Sequence, residues 1–230
     1  MKIGGFQKTS LLDYPDRISA IVWTSGCNFR CPFCYNKNLA LGAAELFPED
    51  EILSFLSKRN GLLEGVVISG GEPLLHDDIV GFVEKIKNLR LLVKIDTNGA
   101  YPEKLGELLE KQLVDYVAMD VKAPRKKYHQ LTGIDVSLSK IEASIHLIKT
   151  KAPAYEFKTT FIPDFLKKED IVAIAEWLNG ADAYFLQQFK IIKPLVSTAL
   201  ENTVPYSWEY LIETLKAIQP FFKRCAVRGI

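Results

Sequence analysis

The sequence predicts an α/β fold in which parallel strands form an open or partial barrel, in a single domain over residues 1–230. Three observations carry this. Short β-branched or aliphatic runs alternate with amphipathic stretches of helical period. Such alternation builds a parallel sheet wrapped by helices. Only six strand–helix units fit in 230 residues, fewer than the eight of a closed barrel of about 250.

Taken in order, the strands are predicted at 18–24, 65–69, 91–96, 116–121, 155–161 and 184–188. Helices are predicted at 48–58, 77–88, 102–110, 139–149, 168–178 and 207–218, the last followed by a short apolar piece at 225–227. Helix starts carry first-turn signals, such as Pro48-Glu49-Asp50 and Ser139 followed by Glu142. The segment 123–137, with Lys126 and Lys127, is read as the longest irregular stretch.

Composition narrows the function. Hydrophobic residues make up 48% and charged residues 25%, which suits a globular chain with a full core. Lys plus Arg number 29 against 28 for Asp plus Glu, a net charge of +1, so neither a nucleic-acid groove nor an anionic membrane partner is expected. No run approaches the ~20 apolar residues of a membrane span. Asp13 and Asp16 break up the N-terminal region before a signal peptide could form. A cytoplasmic location with reduced thiols is the expectation.

Polar residues collect where strands end. Thr24-Ser25-Gly26, Ser69-Gly70-Gly71-Glu72-Pro73, Asp96-Thr97-Asn98-Gly99 and Met119-Asp120-Val121-Lys122 each follow or close a predicted strand. In a parallel sheet these ends share one edge, so the four turns point to one composite site. Of the four cysteines, three fall in Cys27-Asn28-Phe29-Arg30-Cys31-Pro32-Phe33-Cys34, directly after the first predicted strand. Spacing leaves two readings open: a zinc site completed by Cys225 or a histidine, or a four-iron cluster with three protein ligands and one open iron.

The CxxxCxxC loop, with Phe33 before its third cysteine, and the Gly70-Gly71-Glu72-Pro73 turn on the next unit resemble the radical S-adenosylmethionine family. The resemblance implies a partial (β/α)6, TIM-like barrel. Cys27, Cys31 and Cys34 would hold a [4Fe–4S] cluster, and S-adenosylmethionine would chelate the open iron. Gly70, Gly71 and Glu72 would form the methionine-binding turn, and Phe33 would pack near the adenine.

Within that family the whole chain is similar to the activases of glycyl-radical enzymes, and most to activators of anaerobic ribonucleoside-triphosphate reductase. Asp13, in Ser10-Leu11-Leu12-Asp13-Tyr14-Pro15-Asp16, matches an acidic position used near the partner's glycine loop. Tyr35 and Asn36 match the aromatic–Asn pair after the last cysteine. Asp96, Thr97 and Asn98 match a turn that binds the cosubstrate and, with Met119 and Asp120, a monovalent cation. Lys122 and Lys158 match basic cosubstrate positions, and Gln187 or Gln188 would line the substrate side.

The activity implied is reductive cleavage of S-adenosylmethionine and hydrogen abstraction from a partner's glycine, with a one-electron donor such as flavodoxin or ferredoxin. Activation of a pyruvate formate-lyase-type enzyme, another small radical S-adenosylmethionine enzyme, and a zinc-stabilised interaction module are the alternatives. His76, His129 and His146 share no motif and are read as surface or packing residues; Cys225 is read as a buried apolar cysteine.

Overall fold

A computed structural model describes residues 1–229. Among the described residues eight strands form one sheet in the order of the sequence, β1 to β8. They are β1 (Ile3–Ser10), β2 (Ser19–Thr24), β3 (Gly65–Gly70), β4 (Leu92–Thr97), β5 (Tyr116–Asp120), β6 (Tyr155–Phe161), β7 (Ala181–Gln188) and β8 (Phe222–Arg228). The last seven run parallel, whereas β1 is an antiparallel edge strand paired to β2. The sheet is open, in agreement with the partial-barrel expectation.

Two strands differ from the sequence reading. The piece expected at 225–227 is the centre of a seven-residue strand, β8, and β1 adds an edge that was not expected. Among the described residues eight α-helices lie between or beside the strands: α1 (Lys37–Ala40), α2 (Glu49–Lys58), α3 (Ile79–Asn88), α4 (Pro102–Glu110), α5 (Tyr128–Thr132), α6 (Leu138–Lys151), α7 (Lys168–Trp177) and α8 (Trp208–Ile218). The stretch read as irregular therefore contains α5.

Alternation along each strand sorts the side chains onto two faces. Ala20, Val22, Val66, Ile68, Val93, Ile95, Val117 and Met119 join the helices in the main core. The register places Lys94 beside Tyr116, Asp96 beside Ala118, and Asp120 beside Lys158 on the other, inner face. There Tyr14 plugs the N-terminal end of the sheet, against Ile21, Val67, Tyr116 and Ala118. No helix among the described residues is long and apolar enough to cross a membrane.

Candidate active site

The connection leaving β2 carries Cys27, Cys31 and Cys34, and three separate segments hold it. The backbone N–H groups of Gly26 and Cys27 donate to Leu39 and Ala40 of α1 at 2.7 and 3.1 Å. Arg30 N–H donates to Thr132 of α5 at 2.7 Å. Val196 and Ser197, on the connection after β7, donate to the carbonyls of Cys34 and Pro32 at 3.0 and 2.9 Å. The loop is thereby fixed in backbone, which pre-organises its thiols.

Burial pushes the Cys27 thiol up to about 11, Cys31 to about 12, and Cys34 above its usual value. Backbone N–H groups of Phe29, 3.4 Å from Cys27 Sγ, and of Asn36, toward Cys34, oppose that rise. Bound iron would override it, since a coordinating thiol is deprotonated.

Among the described residues no three His, Cys, Asp or Glu side chains converge on a single metal ion. Zinc would require its thiolate ligands all to lie about 2.3 Å from one ion. In a four-iron cluster each thiolate meets a different iron. Three thiols on one clamped loop, Cys31 buried and Cys27 and Cys34 half-buried, with backbone N–H groups aimed at two of them, fit such a cluster. Cys225 stands on β8, opposite Tyr184 of β7.

The turn after β3 locks directly onto this loop. Gly71 N–H donates to Thr24 O and Glu72 N–H to Gly26 O, both at 2.9 Å. Gly70 has φ +114°, and a Cβ there would lie 2.5 Å from Thr24 N, so glycine is required by the approach of the two strand ends. The Glu72 side chain points inward rather than toward open space. It accepts from Leu74 N–H at 3.1 Å, Thr97 Oγ1 at 2.7 Å and Asn98 N–H at 2.7 Å. Burial nonetheless pushes it up to about 7. Asn98 completes the circuit, its amide donating to Asn28 Oδ1 at 2.8 Å, within the cysteine loop. Three of the four strand-end turns are thus one hydrogen-bonded unit.

The fourth turn joins through charge. Lys122 faces Cys31 and Asp120, pairing with Asp120 Oδ1 at 3.2 Å. Its ammonium and that of Lys158 are both raised by the carboxylates beside them, against the opposing effect of burial. Lys158 stands 3.6 Å from Asp96 Oδ2 and 3.5 Å from Asp120 Oδ2, while Lys94 pairs with Asp96 Oδ1 at 2.5 Å. Burial disfavours the Asp96 anion, but Lys158 and Lys94 outweigh it and hold the carboxyl down at about 2.

Several expected placements change. The position anticipated for a monovalent cation, between Asp96 and Asp120, contains the Lys158 ammonium. Met119 turns its side chain into the helical core against Gly99. Phe33 is buried in that core too, while Tyr35 is 45% exposed at the rim and Asn36 precedes α1. Gln188 donates to Tyr206 O at 2.7 Å. Asp13 belongs elsewhere: it hydrogen-bonds Ser10 Oγ in the β1–β2 connection, at the start of β2, with the cysteine loop at that strand's other end. A six-residue strand is about 20 Å long.

Lys94, Asn28 and Glu156 were not anticipated. Glu156 holds a bidentate pair with Arg228 of β8 at 2.5 and 2.9 Å and accepts from Tyr116 at 2.9 Å. Their signal was present: Lys94 with Asp96, and Glu156 with Lys158, put charges at i and i+2 in otherwise apolar strands, hence on one face.

A family model described as the Radical SAM superfamily matches residues 21–178. A Methanocaldococcus jannaschii protein carrying the name of a glycyl-radical enzyme activating enzyme is 36% identical over 194 residues, covering 82% of this chain and 80% of its own. A second of that name from the same organism is 30% identical over 186 residues, covering 78% of this chain and 69% of its own. Among solved structures, Streptococcus suis SuiB bound to S-adenosylmethionine superposes with a TM-score of 0.71 at 16% identity, over 89% of this chain and 48% of that one. This chain thus spans about half the length of SuiB. A domain of the pyruvate-formate lyase-activating enzyme from Bacteroides vulgatus gives 0.57 at 19% identity, over 72% of this chain and 99% of that one. The structural likenesses show the fold; the family match and the first relative settle membership. The chain belongs to the radical S-adenosylmethionine superfamily, and its cofactors are a [4Fe–4S] cluster and S-adenosylmethionine.

Proposed function

We propose that this protein is an activase that installs a glycyl radical on a partner enzyme, and that the partner is the anaerobic ribonucleoside-triphosphate reductase. The observation carrying the activase reading is the 36% identity, over most of both chains, to a relative of that name. Tyr35-Asn36 after the last cysteine favours the reductase over a pyruvate formate-lyase-type partner. Residues 1–230 are read as one functional unit, served by flavodoxin or ferredoxin as electron donor.

When bound, the cluster supplies one electron for cleaving S-adenosylmethionine, whose deoxyadenosyl part then takes a hydrogen atom from the partner's glycine. The chain's own work is binding and positioning. Cys27, Cys31 and Cys34 provide the thiolates on a loop that α1, α5 and the 189–206 connection keep rigid. The turn at Gly70 and Gly71 offers its carbonyls to the amino end of the cosubstrate, the N–H groups of Gly71 and Glu72 being committed to the cysteine loop side. Lys122, already facing Cys31, supplies positive charge beside that loop. No general acid or base is required, which fits a site whose ionisable groups are locked in pairs.

The test is anaerobic reconstitution with iron and sulfide, reduction, and incubation with S-adenosylmethionine and the purified anaerobic reductase. Stoichiometric 5′-deoxyadenosine together with a glycyl-radical signal in electron paramagnetic resonance is expected. Deoxyadenosine without any signal on the reductase, but with one on a formate-lyase-type enzyme, would replace the partner. Absence of deoxyadenosine would overturn the activity itself.

A further inference from the structure

The inner face carries an unbroken chain of alternating charges: Lys94, Asp96, Lys158, Asp120, Lys122. Each of the four carboxylate oxygens has one ammonium partner, at 2.5, 3.6, 3.5 and 3.2 Å along that order. Every member is less than a fifth exposed. Lys158 is the central link, because it alone touches both carboxylates.

Two aspartates facing one another at a buried strand edge repel, and one of them must take a proton unless a cation stands between. A hard monovalent cation held by oxygen ligands is one solution. A tethered ammonium is another: it carries the same single charge and binds oxygen. Lys158 reaches this point from the neighbouring strand because the register sets it beside Asp120. Lys94 and Lys122 occupy the outer oxygens, so three ammoniums meet two carboxylates and the row carries a net charge of +1, while the two inner oxygens face Lys158 alone.

We propose that Lys158 is a built-in substitute for a metal cation. The protein uses neither sodium nor potassium between Asp96 and Asp120, and removing the ammonium turns the aspartate pair into a monovalent-cation site. This concerns the charge chain alone and holds whichever protein is activated.

The reconstituted holoprotein should be melted in sodium, potassium and choline chloride at equal ionic strength. Wild type and Lys158→Arg are expected to melt within about 1 °C of each other across the three salts. Lys158→Met should melt several degrees lower in choline chloride and recover with a saturable dependence on sodium or potassium, as mass action requires of a bound ion. The double variant Asp96→Asn/Lys158→Met, with only one carboxylate left, should lose that dependence. A saturable sodium- or potassium-specific rise in wild type overturns the proposal, as does a Lys158→Met protein with one melting temperature in all three salts. Should Lys158→Met fold in none of them, a salt-independent, folded double variant supports the proposal and a salt-dependent or unfolded one refutes it. Because every readout is thermal, a failed activation assay leaves this result intact.

Discussion

Gly71 stands against Gly26 so closely that a methyl group on Gly71 would lie 1.9 Å from the Gly26 carbonyl oxygen. That same oxygen accepts the Glu72 N–H at 2.9 Å. The turn after β3 is therefore a brace for the cysteine loop. Gly71→Ala should cost more than about 3 kcal/mol, because the clash is with backbone that cannot swing away. Urea unfolding measures it, and the surviving folded fraction should bind less iron per chain.

Replacing one thiol tests the cluster directly. Cys31→Ala should lose the visible absorbance and iron content of the reconstituted protein, and with them all cleavage of S-adenosylmethionine. Retained cleavage would remove Cys31 from the ligand set.

Glu72 gives a pH signature. Its folded value near 7 lies above the ordinary 4.5 because burial penalises the anion. Between those values the folded chain keeps a proton that the unfolded chain releases, so this contribution is complete below about pH 4.5 and is lost as pH rises through 7. The loss is of the order of 3 kcal/mol. In Glu72→Gln that part of the pH dependence should vanish, as urea midpoints on either side of the window will show. Parallel profiles in the two proteins would refute it.

The Asn98–Asn28 bond ties β4 to the cysteine loop at 2.8 Å. Alanine at either position should cost about 1–2 kcal/mol. The double variant should cost less than the sum, with a coupling of about 1 kcal/mol in a double-mutant cycle. Additive losses would mean the bond does not hold the loop.

Much was legible in the chain itself. The strand at 155–161 and the helix at 102–110 end where the residues predicted, since each is a strongly patterned segment buried by its own periodicity. The four polar turns could be placed on one edge because parallel topology alone sends every strand's C-terminal end the same way. The cysteine spacing alone left zinc and a four-iron cluster open, and the family resemblance carried by that loop together with Gly70-Gly71-Glu72-Pro73 pointed to the cluster. What stayed hidden depends on partners distant in sequence. β1, Ile3-Gly4-Gly5-Phe6-Gln7-Lys8-Thr9-Ser10, has no clear hydrophobic alternation, and pairing with β2 makes it a strand. β8 hides behind Lys223, Arg224 and Arg228. Arg228 is tolerated there because Glu156, two strands away in the sheet, accepts it. Asp13 resembled a site residue but lies at the wrong end of β2. Lys158 looked like a cosubstrate ligand, and the register that puts its ammonium between Asp96 and Asp120 was not readable from the chain. Local pattern follows from backbone geometry and periodicity, which a sequence carries. Which charge neutralises which is decided only when strands far apart in the chain lie side by side.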